Sequence, residues 1–453
     1  MCGIAAILSK NNPICLNDII KLMTSLENRG KDSYGISYKE VDNDEIKTIK
    51  SLKKFEPIYD NKSIEVCFSH NRYSTTKNKN NFNNEIQPIH FKNNFLESSI
   101  VHNGNIAFEK MNITYEDYDE TISDTQNLVN IFFKDITDDN FEKTLIDIID
   151  KLPGSFAIMV LYKDSLYALK DIYNYKPLVL GNLNENYCLL SENCVEGFEK
   201  IRYIQSGELL KINKYGYKTI YKHENKLELK CIFEYIYFMN PHTKIFNNND
   251  NESVYNIRYN LGRKLAESET MKFDKRNTVV VGSPATAVPG GKGWAYALDL
   301  TYLQVIEKKD STRTFILKNN QTRKDYLKKF ILHKDLIKDK VILLIDDSIC
   351  RGNTLSSVSK MFLEDAEAKE LHIRIFSPEV KNPCYFGIDL ATKDELIAHN
   401  YTIEEIEKMN NLNSLRYISV EDMLSVFPNE GKGFCSGCFT GKYNNPELEC
   451  LDW

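Results

Sequence analysis

Apolar residues along this chain come in short runs cut by polar and charged stretches, the pattern of a strand-rich protein with modest helices. The run Gly3-Ile4-Ala5-Ala6-Ile7 opens it. Lys151 to Leu161 (with Gly154) and Leu166 to Lys170 predict a hairpin. Thr278 to Val281 predicts a strand, and Val341-Ile342-Leu343-Leu344-Ile345 reads as one buried on both faces, as in a parallel sheet. A helix is expected from about Leu355. The first half shows short strands with loops, and the second alternates strands and helices, as a parallel five-stranded core requires. The charged stretch Lys222 to Lys230 is the natural boundary, giving domains 1–229 and 230–453. No internal repeat is visible.

At 453 residues the chain can bury two or three cores. A net charge of −6 without a basic patch argues against nucleic acid, and runs such as Lys77 to Asn84 read as solvated loops. No apolar run approaches the ~18 residues that span a bilayer, and the N-terminus lacks the basic, then apolar, form of a signal peptide. A soluble cytoplasmic protein with no membrane partner is expected. Eleven cysteines, an odd number, argue against a disulfide framework. Four of them stand apart: Cys231, Cys384 and the pair Cys435-Ser436-Gly437-Cys438. Thiolates in fours bind zinc or iron–sulfur clusters, and spacing alone does not separate the two.

Cys2 is the first candidate for chemistry. Removal of Met1 would leave a thiol and a free α-amine on one residue, and an amine with an unperturbed pKa of about 7.7–8.0 can take the thiol proton near neutrality. Small residues at position 2 also simply permit Met removal, so other residues decide. Arg29-Gly30-Lys31-Asp32-Ser33, His70-Asn71-Arg72-Tyr73-Ser74-Thr75, His102-Asn103-Gly104-Asn105 and Ser123-Asp124-Thr125 follow in order. Together with Cys2-Gly3-Ile4 they resemble the class II glutamine amidotransferases, N-terminal-nucleophile (Ntn) hydrolases with an αββα fold. The resemblance implies Cys2 as nucleophile and Asn103 with the Gly104 N–H as oxyanion donors. It implies Arg29, Arg72 and Asp124 as the glutamine-binding set: Arg72 on the α-carboxylate, Asp124 on the α-ammonium, and Arg29 supporting the loop around the nucleophile.

The strand ending at Ile345 runs into Asp346-Asp347-Ser348-Ile349-Cys350-Arg351-Gly352-Asn353-Thr354. Paired carboxylates at a strand end, then a Gly/Thr turn into a helix, suit ribose hydroxyls and a 5′-phosphate. The loop resembles the phosphoribosyl pyrophosphate (PRPP) motif of type I phosphoribosyltransferases. Cys231 to Phe238, Tyr255 to Arg258, Arg313-Thr314-Phe315, Tyr385 to Asp389 and Glu395 to Ala398 extend the likeness to the whole chain. It is similar to the iron–sulfur branch of the amidophosphoribosyltransferases, which use glutamine to aminate PRPP and open purine synthesis.

That resemblance implies a 4Fe-4S cluster on Cys231, Cys384, Cys435 and Cys438. It implies PRPP held by Asp346, Asp347, Ser348, Gly352, Asn353, Thr354 and Arg313, with Mg²⁺ reaching Asp346 and Asp347 through PRPP. It also implies a sealed ammonia passage between two sites and a homo-oligomer. The chain departs from the family pattern at several points. Ala285 stands where an acid is usual, and Gly290 to Gly293 form a glycine-rich stretch able to cradle phosphate or to be a plain loop. Glu307 to Thr312 replaces the usual lid sequence, Met239 to Thr243 is altered, and Lys176-Pro177-Leu178 replaces Arg-Pro-Leu, after Tyr173 and Tyr175. The cluster-bearing branch often has a propeptide before its cysteine, which this sequence lacks. Two alternatives therefore accompany the leading one: a same-architecture enzyme with another phosphorylated acceptor, and a regulatory homologue with a vestigial transferase site.

Overall fold

In the computed structural model, the described residues are 1–443 apart from 59–61, 74–84, 107, 109–116, 153, 226, 246–251, 309–329 and 391. The first half is a sandwich of two antiparallel sheets with helices outside both. One sheet runs Glu199–Tyr203, Val179–Leu183, Asn186–Leu190, Gly3–Leu8, Ile64–Arg72, Ser33–Glu40, Ile46–Ser51. The other runs Gly216–Lys222, Glu208–Asn213, Ser165–Lys170, Gly154–Tyr162, Glu97–Ile106, Ile89–Lys92.

Strand periodicity explains the unbroken apolar run at the N-terminus. Ile4, Ala6 and Leu8 face the inter-sheet core with Phe68, Val101 and Met159, while Ala5 and Ile7 face the helix Leu16–Ser25 through Ile19, Leu22 and Met23. Both faces are covered, so neither can be polar. Helices Asp124–Phe132 and Phe141–Lys151 cover the outer face of the second sheet through Leu128, Phe133, Leu145 and Ile148. Lys151 ends that second helix, so the hairpin begins at Gly154. Only Leu152 and Pro153 separate helix from hairpin, so no polar stretch marks the boundary in the sequence.

The second half holds a parallel five-stranded sheet in the order Thr301–Tyr302, Thr278–Gly282, Val341–Asp346, Glu370–Ile375, Ser414–Tyr417. Leu343 and Ile345 pack toward helices Val254–Glu267 and Val288–Leu298; Ile342 and Leu344 pack toward Leu355, Met361 and Phe362. The glycine-rich stretch is neither cradle nor loop. It lies inside the helix Val288–Leu298, which packs backbone to backbone on Val254–Glu267: a Cβ on Gly293 would fall 2.0 Å from the Tyr259 carbonyl oxygen, and one on Gly262 would fall 1.9 Å from the Gly290 carbonyl oxygen. Close approach of two helices, which no local pattern reveals, accounts for them.

A short parallel pair, Lys230–Cys231 with Phe434–Cys435, joins the two ends of the second half. The halves are tied by Cys231 N–H, which donates to the Tyr175 carbonyl (3.3 Å), and by contacts of the 384–388 segment with the first domain. Asn105 Nδ2 donates to the Tyr385 carbonyl (3.0 Å) and Ser155 Oγ to the Phe386 carbonyl (2.9 Å). Among the described residues no helix is long and apolar enough to cross a membrane.

Candidate active sites

Cys2 precedes the Gly3–Leu8 strand at the rim of a cavity of about 220 Å³ whose wall includes Arg72, Glu85, Gly104, Asp124 and Gly387. Its Sγ lies 3.8 Å from the Tyr73 carbonyl, and its N–H donates to Asn103 Oδ1 (2.9 Å). Asn103 is fully buried, and its Nδ2 has no hydrogen-bond partner. A buried donor left unsatisfied beside a nucleophile is costly unless a ligand oxygen completes it. At Gly104 only glycine fits, because a Cβ would lie 1.8 Å from the Ser155 carbonyl oxygen.

Arg72 ends the Ile64–Arg72 strand and pairs with the buried carboxylate of Glu85. Asp124 is the first residue of its helix, which Ser123 caps through Gln126 N–H. Asp124 Oδ1 accepts from Thr125 N–H (2.7 Å) and Oδ2 from Ile106 N–H (3.1 Å), which fixes the carboxylate at the cavity wall.

Arg29, grouped with the glutamine-binding set as the support of the loop around Cys2, lies behind the cavity and not in its lining. It is wholly buried, and its Nε donates to the Cys2 carbonyl (2.9 Å) while its two Nη atoms bind Glu192 and Glu234. These two carboxylates hold its guanidinium charged against the cost of burial. It holds the Cys2 carbonyl from behind, while Arg72 and Asp124 line the cavity.

A buried network went unread in the sequence. Gln87 Oε1 accepts from the His102 N–H (2.6 Å), its Nε2 donates to Thr125 Oγ1 (3.0 Å), and that hydroxyl also bonds His102 Nδ1 (3.0 Å). It locks the strand carrying Asn103 and Gly104. Burial lowers the pKa of His102, against the opposing pull of Asp124. His102 and Thr125 each sit one residue from an assigned site residue, which was the available signal.

The second cavity, about 710 Å³, opens at the C-terminal end of the parallel sheet. Asp346, Asp347, Ser348, Gly352, Asn353 and Thr354 line it, together with Ser283 to Thr286. Asp347 is nearly buried and accepts from Thr286 Oγ1 (2.5 Å) and Ser348 Oγ (2.6 Å). Gly352 takes a φ of 71°, which lets the loop turn back. Arg351, also unread in the sequence, braces the loop by pairing with Glu395 (2.8 Å) and Asp389 (3.3 Å). Thr24, Ser25, Asn28 and Lys31 of the first domain form part of the wall. Arg313 lies outside the described residues.

The four singled-out cysteines come together between the halves. Cys231 and Cys435 are register partners on the short parallel pair, and Lys381 and Asn382 N–H both donate to the Cys438 carbonyl (3.1 Å), bringing in the Cys384 segment. Phe386 N–H donates to Cys384 Sγ (3.4 Å). All four are free thiols raised by burial, Cys231 to about 12.

Comparison with known proteins decides the family. The phosphoribosyl transferase domain profile matches residues 250–382. A curated amidophosphoribosyltransferase of Archaeoglobus fulgidus is 30% identical over 99% of this chain and 100% of its own. This chain belongs to the amidophosphoribosyltransferase family. The Staphylococcus aureus (strain MRSA252) amidophosphoribosyltransferase is 31% identical over 98% of this chain and 90% of its own. The solved glutamine PRPP amidotransferase of B. subtilis, complexed with ADP and GMP, superposes with a TM-score of 0.80 at 26% identity, covering 100% and 99% of the two chains. As an amidophosphoribosyltransferase, the protein is a glycosyltransferase that aminates PRPP with nitrogen from glutamine, the purine-pathway step. The two cavities therefore belong to one enzyme of two half-reactions, and the altered Ala285 segment lines the transferase one.

Proposed function

We propose that Cys2 performs the glutaminase half-reaction and the Asp346–Thr354 loop the transferase half-reaction. The unsatisfied Asn103 Nδ2 beside Cys2 carries the proposal. Once Met1 is removed, the α-amine of Cys2 takes the thiol proton and the sulfur attacks the glutamine side-chain carbonyl. Asn103 Nδ2 and the Gly104 N–H receive the developing oxyanion, ammonia leaves, and water cleaves the resulting thioester to glutamate. Arg72 forks onto the α-carboxylate of glutamine after exchanging it for Glu85, and Asp124 pairs with the α-ammonium.

Ammonia must stay unprotonated to act as a nucleophile at C1 of PRPP, with pyrophosphate leaving. Tyr73, whose carbonyl faces Cys2 Sγ, stacks edge-on against Phe238 (centroids 5.8 Å apart), which lines the second cavity. This apolar wall supports an enclosed passage. Asp346 and Asp347 would take the ribose hydroxyls, Ser348 and Gly352 to Thr354 the 5′-phosphate, and Arg313 the pyrophosphate. The hard oxygen donors of Asp346 and Asp347 at the cavity wall suit Mg²⁺ reached through PRPP, which supplies charge neutralisation to the leaving group.

The cysteine donor set suits a 4Fe-4S cluster. A single zinc with Zn–S bonds of about 2.3 Å draws its sulfurs to within roughly 4 Å of one another, whereas a four-iron cube holds them farther apart. The four thiols come from three segments, at Cys231, Cys384 and the Cys435–Cys438 pair, and a multi-iron group taking thiolates on its several irons can join them. When bound, the group supplies a rigid cross-link between three segments of chain. A homo-oligomer is the expected assembly, to be read by sedimentation.

The test is glutamate and pyrophosphate release by anaerobically purified protein, with glutamine or ammonia, Mg²⁺ and PRPP. Cys2→Ala should abolish glutamine-dependent pyrophosphate release and spare the ammonia-dependent reaction. Glutamine use surviving that change would remove Cys2 from the mechanism. Glutamate without pyrophosphate in the wild type would move the acceptor away from PRPP.

A further inference from the structure

Among the described residues, two lysines are completely buried without a hydrogen bond to any carboxylate. Lys170 Nζ has no hydrogen-bond partner, and Lys176 Nζ has only Met1 Sδ, at 2.8 Å. A thioether sulfur is a weak acceptor, and it leaves with Met1 when the Cys2 amine is freed. A desolvated ammonium without a partner is strongly unfavourable, so its neighbourhood must supply negative charge.

The neighbourhood of Lys176 is the cysteine cage. The carbonyl of Tyr175, one residue before it, accepts from Cys231 N–H (3.3 Å), and the Tyr175 ring stacks on Phe386 (centroids 4.0 Å apart), two residues after Cys384. Met1, which Lys176 touches, packs in the same core as Cys231 and Cys438. Glu234, the acid closest in role, is already engaged by Arg29.

Resting on the cluster reading above, we propose that Lys176 is the buried counter-ion of the iron–sulfur group, a positioning residue that stabilises its charge. Four thiolates on an iron–sulfur core leave the group net negative, and Lys176 is a wholly buried cation with no carboxylate partner, next to Tyr175, which packs on the segments carrying Cys231 and Cys384. Each makes the burial of the other tolerable. A cation at that place also favours the reduced cluster, so it sets the reduction potential.

The experiment uses the full chain purified anaerobically, as wild type, Lys176→Met, Lys176→Gln and Lys176→Arg. It reads iron and acid-labile sulfide per chain and the midpoint potential by reductive titration. Wild type and Lys176→Arg should carry matching iron at similar potentials. The two neutral variants should lose at least half of it, and the cluster they keep should have a more negative midpoint. If Lys176→Met is insoluble, Lys176→Gln carries the comparison, and insolubility of both with a soluble, loaded Lys176→Arg upholds the need for the charge. Neutral variants with wild-type iron and midpoint overturn the proposal, as does loss of glutamine turnover with both unchanged, which would assign Lys176 to the nucleophile. Wild-type protein without iron would overturn the cluster reading itself, a result distinct from any difference between variants.

Discussion

Arg29 Nη2 donates to Glu234 Oε1 at 2.7 Å, across the boundary between the two halves of the chain, with both side chains out of solvent. The same guanidinium holds the Cys2 carbonyl, so the second domain reaches the nucleophile through one side chain. Breaking a buried pair by removing one partner leaves an uncompensated charge and costs on the order of 3 kcal/mol. Glu234→Gln should lower the melting temperature and reduce glutamine-dependent activity more than ammonia-dependent activity. Equal losses in both would mean that the pair serves the fold alone.

Asn103→Ala should lower the kcat of glutamine hydrolysis by about 10²–10³-fold, the usual effect of removing one oxyanion donor. Ammonia-dependent transfer in the same variant should stay near wild type. Steady-state assays with each nitrogen source make the comparison.

Gly387 has a φ of 86°, and a Cβ there would lie 3.0 Å from the Gly104 carbonyl oxygen. Gly387→Ala should strain its own backbone and push on the oxyanion strand, with a loss in glutamine turnover on the order of 10-fold or more. This residue of the second domain lines the first domain's cavity, so unchanged turnover would remove that coupling.

Asp347 receives two hydroxyl donors at the wall of the large cavity. Asp347→Asn keeps the shape and removes the charge. A lost charged hydrogen bond is worth about 1.5–3 kcal/mol, so PRPP-dependent pyrophosphate release should fall by roughly 10–150-fold with either nitrogen source.

His70 is buried, and its pKa is lowered to about 3, first by burial and then by Arg72, against its bond to the His102 carbonyl and the pull of Asp124. The unfolded chain binds a proton near the ordinary value of about 6.5, and the folded one does so only near 3. Between these values the unfolded state holds more protons, so stability is full above about 6.5 and declines as pH falls toward 3. The decline reaches at most about 4–5 kcal/mol. His70→Asn, which retains a donor, should flatten the dependence of melting temperature on pH across that window.

Much of the glutaminase cavity was legible in the chain because its chemistry travels in short motifs. Cys2, Arg72 and Asp124 sit at a strand or helix terminus, Asn103 and Gly104 lie within the strand Glu97–Ile106, and the structure gathers all of them around one cavity. The aspartate loop was legible for the same reason: an apolar run must stop where charged residues face a ligand.

What the sequence by itself determined was strand and helix patterning, the motif residues and the family they resemble, since these depend on neighbours within a few positions. Only the tertiary structure decided how Arg29 is held behind the cavity, because its partners Glu192 and Glu234 lie far along the chain. It alone showed that Gly262 and Gly293 let two helices touch, and that Gln87, Thr125 and His102 form one network. Lys176 is the plainest case. The sequence showed it only as a departure from an Arg-Pro-Leu pattern, and packing of Tyr175 against Cys231 and Phe386 is what buries its charge near the cysteine segments. Burial and charge pairing are properties of distant segments brought together, and no local pattern encodes them.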